Sequence, residues 1–320
     1  MSLFFHRPAG RSFWAGGFWS SRFAWRLPLV LTLLVTACIP AAPTSDEFAQ
    51  AGQQAFDWTR RAVELGPRPP GSEAHRKLQG LIAGELRAQG AAVVEEKFTA
   101  QTPHGAVPMN NIIGKFPGRS GRVVIVSGHY DTYHRPGMRF VGANDAGSST
   151  GFLLALAGWL NKRELQDEVW LVFFDGEESF VHWSGNDHTY GSRYVAGLWR
   201  QNGTAARIKA LINVDMIGDA GLSLIYDQNS TPWLRELIWD TAKRLGYQKE
   251  FPREAGYIED DHVPFVTSGY SALDLIDLDY GLFNRYWHTD EDTLDKLSAK
   301  SFAVVLHVVG ESLRDLAEVE

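Results

Sequence analysis

The chain is poor in cysteine: its 320 residues include one, Cys38. A single thiol excludes an internal disulfide and a thiolate metal cluster, so any metal must sit on oxygen and imidazole ligands. A basic block is missing too. Lys and Arg number 31 against 38 Asp and Glu, and the net charge of −7 is spread along the chain, which sets nucleic acid aside as a partner. Internal repeats and low-complexity tracts are absent beyond residue 45. The apolar run at 27–35 is too short for a comfortable membrane span.

That run has a different meaning. Arg7, Arg11, Arg22 and Arg26 precede it, and Leu34-Val35-Thr36-Ala37-Cys38 closes it. A basic region, a short apolar core and small residues before a cleavage point read as a secretory signal. The cysteine after Thr-Ala matches a bacterial lipoprotein cleavage site. An ordinary signal peptide or an uncleaved anchor are the other readings. The expectation is an exported protein of the bacterial periplasm or cell envelope. Residues 1–38 would be the signal, 39–45 a Pro/Ala-rich tether, and 46–320 one folded domain, a monomer. A membrane enters only through lipid on Cys38.

Past the tether, amphipathic stretches at 45–65 and 73–89 flank the breaker Gly66-Pro67-Arg68-Pro69-Pro70-Gly71. Strands are expected at 92–99, 111–116, 122–127, 169–174, 208–214, 222–226 and 272–278. Helices are expected at 148–160, 190–200 and 231–245, with Pro232 opening the third, and over 298–319 with Ser298 as cap. Strands alternating with helices predict an α/β domain with a mostly parallel, twisted central sheet covered by helices on both faces.

In such sheets ligands bind beyond the carboxyl ends of the strands. Chemistry-bearing residues sit there. Gly128-His129-Tyr130-Asp131 follows one strand, and Asn144-Asp145-Ala146-Gly147 opens the next helix. Asp175-Gly176-Glu177-Glu178 and Asp215 follow two more strands, and Trp287-His288-Thr289 precedes the last helix. Adjacent carboxylates at 177 and 178 point in different directions, so one can hold a metal while the other moves a proton. Taken singly, each has an ordinary structural role: an N-cap at Asp145, a core histidine at His129, a turn residue at Asp215, packing at His288. Five such coincidences of metal-ligand chemistry argue for a metal-dependent active site.

These residues carry a resemblance. Pro67 to Ser72, Gln101-Thr102-Pro103-His104-Gly105, Phe173 to Phe180, His182-Trp183-Ser184, Tyr190-Gly191-Ser192-Arg193, Glu259-Asp260-Asp261-His262 and Trp287-His288-Thr289 together resemble the animal-type glutaminyl-peptide cyclotransferases, within the zinc aminopeptidase superfamily. The resemblance implies one Zn2+ held by Asp145, Glu178 and His288, with Glu177 as general acid/base. It implies that Asp215 and Asp260 form a hydrogen-bonded carboxylate pair, and that Trp183 and Trp287 wall the pocket. It points to Phe283 as the aromatic completing that wall, on a 277–286 loop longer here than in the family pattern. A disulfide of some animal members cannot form in this chain.

The implied reaction is cyclisation of an N-terminal glutamine of a peptide or protein to pyroglutamate with release of ammonia. The alternative is a two-zinc aminopeptidase, in which Asp145 bridges and His129 with Asp215 holds the second ion. All of those ligands are present, so identity alone does not decide. A third reading, an inactive binding lipoprotein on the same fold, conflicts with retention of Asp145, Glu177, Glu178 and His288. The loops 133–141, 184–189 and 277–286 are expected to set access.

Overall fold

The computed structural model describes residues 46–319. The signal, the tether and Cys38 lie outside the described residues. Helices α1 (Asp46–Glu64) and α2 (Glu73–Ala88) come first. The Ser72 side chain caps α2 by accepting the His75 N–H at 3.1 Å. A long hairpin follows, β1 (Ala92–Thr102) and β2 (Gly105–Phe116). Then come β3 (Val123–His129), α3 (Gly147–Leu160), β4 (Glu168–Phe174), α4 (Tyr190–Gln201) and β5 (Ile208–Asp215). The chain continues through β6 (Tyr226–Asp227), α5 (Pro232–Arg244), β7 (Ala255–Gly256), α6 (Val263–Thr267), β8 (Ala272–Ile276) and α7 (Ala299–Glu318). Pro232 opens α5 and the Ser298 side chain caps α7, as the sequence predicts.

Six strands form one sheet in the order β1-β2-β4-β3-β5-β8. The four strands β4, β3, β5 and β8 run parallel, and the β1–β2 hairpin adds to β4 antiparallel. After β3 the chain goes first to one side, as β4, and then to the other, as β5. The carboxyl end of β3 is therefore a switch point, where a crevice opens between diverging connections.

Alternation along the central strands separates two cores. Val124 and Val126 of β3, with Leu171 and Phe173 of β4, pack with α1, α2, α3, α5 and α7. Val123 and Ile125, with Trp170, Val172 and Phe174, pack with α4 and α6. Helix α3 is apolar all round and buried over nearly its whole length, since it lies between the sheet and α1. Each such aliphatic or aromatic side chain contributes about 1.5–3 kcal/mol by leaving water, which makes the sheet a stiff base for the loops above it.

The strand expected at 222–226 does not join this sheet. Only Tyr226–Asp227 is extended, paired with β7 in a separate two-stranded ribbon. Leu222 and Leu224 are buried, but the backbone N–H of Leu224 goes to Glu250 O and that of Ile225 to Ile276 O, both at 2.9 Å. The apolar alternation there reports burial, not ladder pairing.

Candidate active site and metal centre

Three strand ends and two loops converge at the switch point. The Asp145, Glu178 and His288 side chains come together, with His288 Nε2 3.2 Å from Asp145 Oδ2 and 3.3 Å from Glu178 Oε1. On the other side of the same carboxylate, His129 Nε2 lies 3.2 Å from Asp145 Oδ1 and 3.3 Å from Asp215 Oδ1. Asp145 thus stands between two three-residue groups. Zinc–ligand bonds of ~2.0–2.1 Å in a tetrahedron give ligand–ligand edges of roughly 3.3–3.4 Å, close to the separations in both groups. Glu178 supplies the sharpest test of fit. Both of its carboxylate oxygens are buried without a hydrogen-bond partner. The His288 imidazole 3.3 Å away offsets part of the cost of burying it, and a divalent cation would relieve the rest.

The electrostatics agree. Burial, reinforced by the charge of Asp145, pushes the Glu178 carboxyl up to about 7 against the pull of His288. Burial also raises Asp215 to about 6, with Asp260 and Asp145 adding to the rise. Burial works to lower His288, but Glu178 and Asp145 outweigh it and raise the imidazole to about 11. Asp145 is held well below the ordinary range, because His129 and His288 overcome the opposing effect of burial. Burial lifts Glu177 well above its usual value, and Asp260, Glu178 and Asp261 lift it further. Acids crowded together out of water demand positive charge.

Specific backbone features aim these groups. Gly142 has φ 50, and a Cβ there would fall 1.8 Å from Asp145 O. His288 itself sits at φ 52, and Met216, just after Asp215, at φ 50. Left-handed backbone at non-glycine residues is uncommon and clusters at functional sites.

A buried shell holds the ligands. Asp131 Oδ1 accepts the N–H of Gly176 (3.0 Å) and Glu177 (3.1 Å), and Oδ2 accepts that of Glu178 (3.3 Å). Asp175 beneath them accepts from the Asn110 N–H at 2.7 Å and faces His75 Nε2 and the Tyr130 hydroxyl at 2.8 Å each. Asp292 takes the N–H of Asn144 (2.8 Å) and Asp145 (3.2 Å) and the Tyr280 hydroxyl (2.7 Å). Arg68, fully buried, donates to the carbonyls of Gly66 and Val141 (2.8 Å each) and Gly142 (3.1 Å). Arg68 and Asp131 lie inside motifs whose residue order assigns them no role. No local pattern marks Asp292.

A cavity of about 310 Å³ lies over the site. Its floor includes Asp145, Glu177, Asp215, Asp260 and His288, and its walls are Trp183, Trp287, Ile258, Ile276, Leu278 and Tyr257. The structure therefore brings Trp183 and Trp287 to the cavity. Phe283 it does not: this residue is 91 % exposed and does not line it. The longer loop buries Tyr280 instead, whose hydroxyl binds Asp292, and Phe283 falls on the outward turn at φ 58. Asp215 and Asp260 both face the cavity, but their hydrogen-bonding surroundings differ. Asp260 Oδ2 accepts from Asn213 Nδ2 at 3.1 Å, whereas Asp215 faces His129. Asn213 Nδ2 also donates to Asp274 Oδ1 at 3.1 Å.

The chain is similar to known proteins. Residues 111–313 match the profile of peptidase family M28. A glutaminyl-peptide cyclotransferase of Boiga irregularis is 32 % identical over 290 residues, covering 77 % of this chain and 76 % of the relative. The crystal structure of an Acidobacteriales bacterium glutaminyl cyclase is 39 % identical with a TM-score of 0.81, covering 84 % of this chain and 96 % of that one. A Zn-dependent exopeptidase from Parabacteroides distasonis is 26 % identical with a TM-score of 0.73, covering 83 % and 98 %. Profile, relatives and fold agree: the chain belongs to peptidase family M28, on its glutaminyl-peptide cyclotransferase branch.

Proposed function

We propose that this enzyme converts the N-terminal glutamine of peptides to pyroglutamate with release of ammonia. The observation that carries the reading is that Trp183 and Trp287 stand over the same 310 Å³ cavity into which Asp145, Glu177 and His288 face. Asp145, Glu178 and His288 would hold a zinc ion, whose contribution when bound is Lewis-acid polarisation of the γ-amide carbonyl. The attacking nucleophile is the substrate's own α-amine, so the cavity needs to fold the glutaminyl side chain back on itself rather than admit water. The indoles suit that task, since they present flat apolar walls and exclude a competing water. Glu177 takes the proton from the amine and returns it to the departing nitrogen. Its raised affinity for a proton suits a group that must both accept and give one. Asp215 and Asp260 assist beside it, the latter fixed by Asn213.

Incubation of the purified enzyme with a glutaminyl peptide tests this reading. An intact chain that has lost ammonia supports cyclisation, and a shortened chain refutes it.

A specific geometry favours a second reading. The group His129, Asp145 and Asp215 has ligand-like spacing of its own, which suits a two-zinc aminopeptidase with a Glu177-activated water. Two tightly held zinc ions per chain, together with release of free amino acids, would establish it.

Export, with Cys38 as the lipidated residue, belongs to the same proposal and rests on the pattern of residues 7–38 alone. Partitioning into the detergent phase that is lost in Cys38→Ser checks it.

A further inference from the structure

The segment between Glu178 and α4 is built around one carboxylate that the reaction does not use. Asp187 Oδ2 accepts the backbone N–H of Val181 at 2.8 Å and of His182 at 3.0 Å. Its Oδ1 accepts the N–H of Phe180 at 3.2 Å and the Tyr190 hydroxyl at 2.8 Å. Three successive amides thus converge on a single side chain and bend the backbone around it. Burial pushes the Asp187 carboxyl up, but the His182 amide, the Tyr190 hydroxyl and the other two amides pull it below the ordinary range, so it is a strong, charged acceptor at neutral pH. The Asp187 N–H closes the turn onto Ser184 O at 3.2 Å.

Trp183 is the tip of this turn. Its indole, 37 % exposed, stacks on His188 with centroids 4.3 Å apart and planes 16° from parallel. His188 is buried and follows Asp187 directly. Arg193 braces the returning limb by donating to Gly185 O (3.3 Å), Asn186 Oδ1 (2.6 Å) and His188 O. The limb then ties to the acid loop, since the Thr189 N–H reaches Glu177 O and the Tyr190 N–H reaches Gly176 O, each at 2.8 Å. The stack also has a place in the cavity. Trp183 lines the catalytic space, while His188 lines a neighbouring cavity of about 350 Å³, and Glu259 and Asp260 border both. Trp183 rests on His188, a residue carried by the same turn, and leaves much of its surface exposed. Its direction is therefore set by the backbone beneath it.

We propose that Asp187 is the positioning residue for substrate: by gathering the amides of 180–182 it fixes Trp183 as a wall against the glutaminyl group. The proposal rests on the cyclase reading, in which that wall meets substrate. Asp187 does not touch the reacting atoms, so its effect must pass through the indole, and this separates it from a residue that merely holds the fold together.

The test is a double-mutant cycle on Asp187→Asn and Trp183→Ala, with KM and kcat measured for a glutaminyl tripeptide by ammonia release. Asp187→Asn is expected to raise KM about tenfold with kcat within about threefold of wild type, and to add less than about twofold in the Trp183→Ala background. An unchanged KM, or the same fold-change in both backgrounds, overturns the proposal. Tyr190→Phe removes one of the four hydrogen bonds and serves if Asp187→Asn does not fold. It should raise KM about threefold in wild type and leave it alone without Trp183, and an equal effect in both overturns the proposal. Near-UV circular dichroism supplies a readout without turnover: the change caused by Asp187→Asn, which removes no chromophore, should vanish when Trp183 is absent, and persistence of that change counts against the proposal. If the wild-type enzyme does not cyclise glutamine, the functional reading fails by itself, and the dichroism still decides whether Asp187 orients Trp183.

Discussion

Asp131 Oδ1 accepts the backbone N–H of Glu177 at 3.1 Å, and this contact fixes the backbone that carries the Glu177 carboxylate. The same side chain takes the N–H groups of Gly176 and Glu178, so three amides of the acid loop hang from one buried anion. Replacing Asp131 by Asn turns one acceptor into a donor facing N–H groups. The expected cost is about 2–3 kcal/mol of stability, as for a buried hydrogen bond to a charged group. Activity should fall by about 10²-fold or more, because a misplaced proton carrier loses its geometry. Chemical denaturation and steady-state rates on the same preparation check both.

Glu177→Gln keeps the shape of the side chain and removes its capacity to take a proton. Turnover should drop by about 10²–10⁴-fold. Zinc content, measured by elemental analysis, should stay at the wild-type level, because Glu177 belongs to neither ligand group. Near-normal turnover would remove Glu177 from the role of proton carrier.

Chelation should affect stability as well as rate. Glu178 has both oxygens buried without a hydrogen bond, so stripping the ion leaves it beside Asp145 with only partial compensation from the His288 imidazole. A ligand at about 1,000 times its dissociation constant contributes about 4 kcal/mol to the folded state. A clear fall in melting temperature with a strong chelator, reversed by added zinc, is expected. The same chelator should leave the melting temperature of Glu178→Ala nearly unmoved.

The two aromatics of the last loop should behave in opposite ways. Trp287 lines the cavity and Phe283 does not. Trp287→Ala should lower kcat/KM about tenfold or more, as expected when a well-packed wall is lost, whereas Phe283→Ala should change it less than about twofold. Kinetics on a short glutaminyl peptide decide this, and a large loss in Phe283→Ala would return that side chain to the pocket.

Stability should respond to pH through Asp277, away from the ligands. Burial, with help from Asp219 and Asp279, raises its carboxyl to about 7, against about 3.9 in an unfolded chain. The folded state therefore binds the proton more tightly. This contribution is full below about pH 4 and is lost as pH rises toward 7. Asp277→Asn should flatten the decline in stability between about pH 4 and pH 7. An unchanged slope in urea titrations across that window would exclude Asp277 as its source.

Much of the architecture was legible from residue order because local rules set it. Pro232 and Ser298 mark helix starts through geometry and capping, and Val123 to Val126 read as a buried strand because no polar residue interrupts them. The chemistry-bearing positions were legible too, since acids and imidazoles gathered at strand ends have few ordinary explanations. The 222–226 segment misled because burial and ladder pairing leave the same apolar pattern. Phe283 misled because a resemblance carries over residue types, whereas the fold of a longer loop decides which aromatic turns inward.

What residue order alone determined is the inventory: one thiol, a metal-ligand set on oxygen and nitrogen, and an alternation that demands a sheet between helices. Those follow from side-chain chemistry and periodicity, which are local. Only the folded chain decided that Asp145 lies between two imidazoles, that Asp131 holds the acid loop, that Asp292 and Arg68 steady the Asp145 turn, and that Asp187 sits beneath Trp183. These are long-range pairings across loops, and no local periodicity records the direction in which a loop returns.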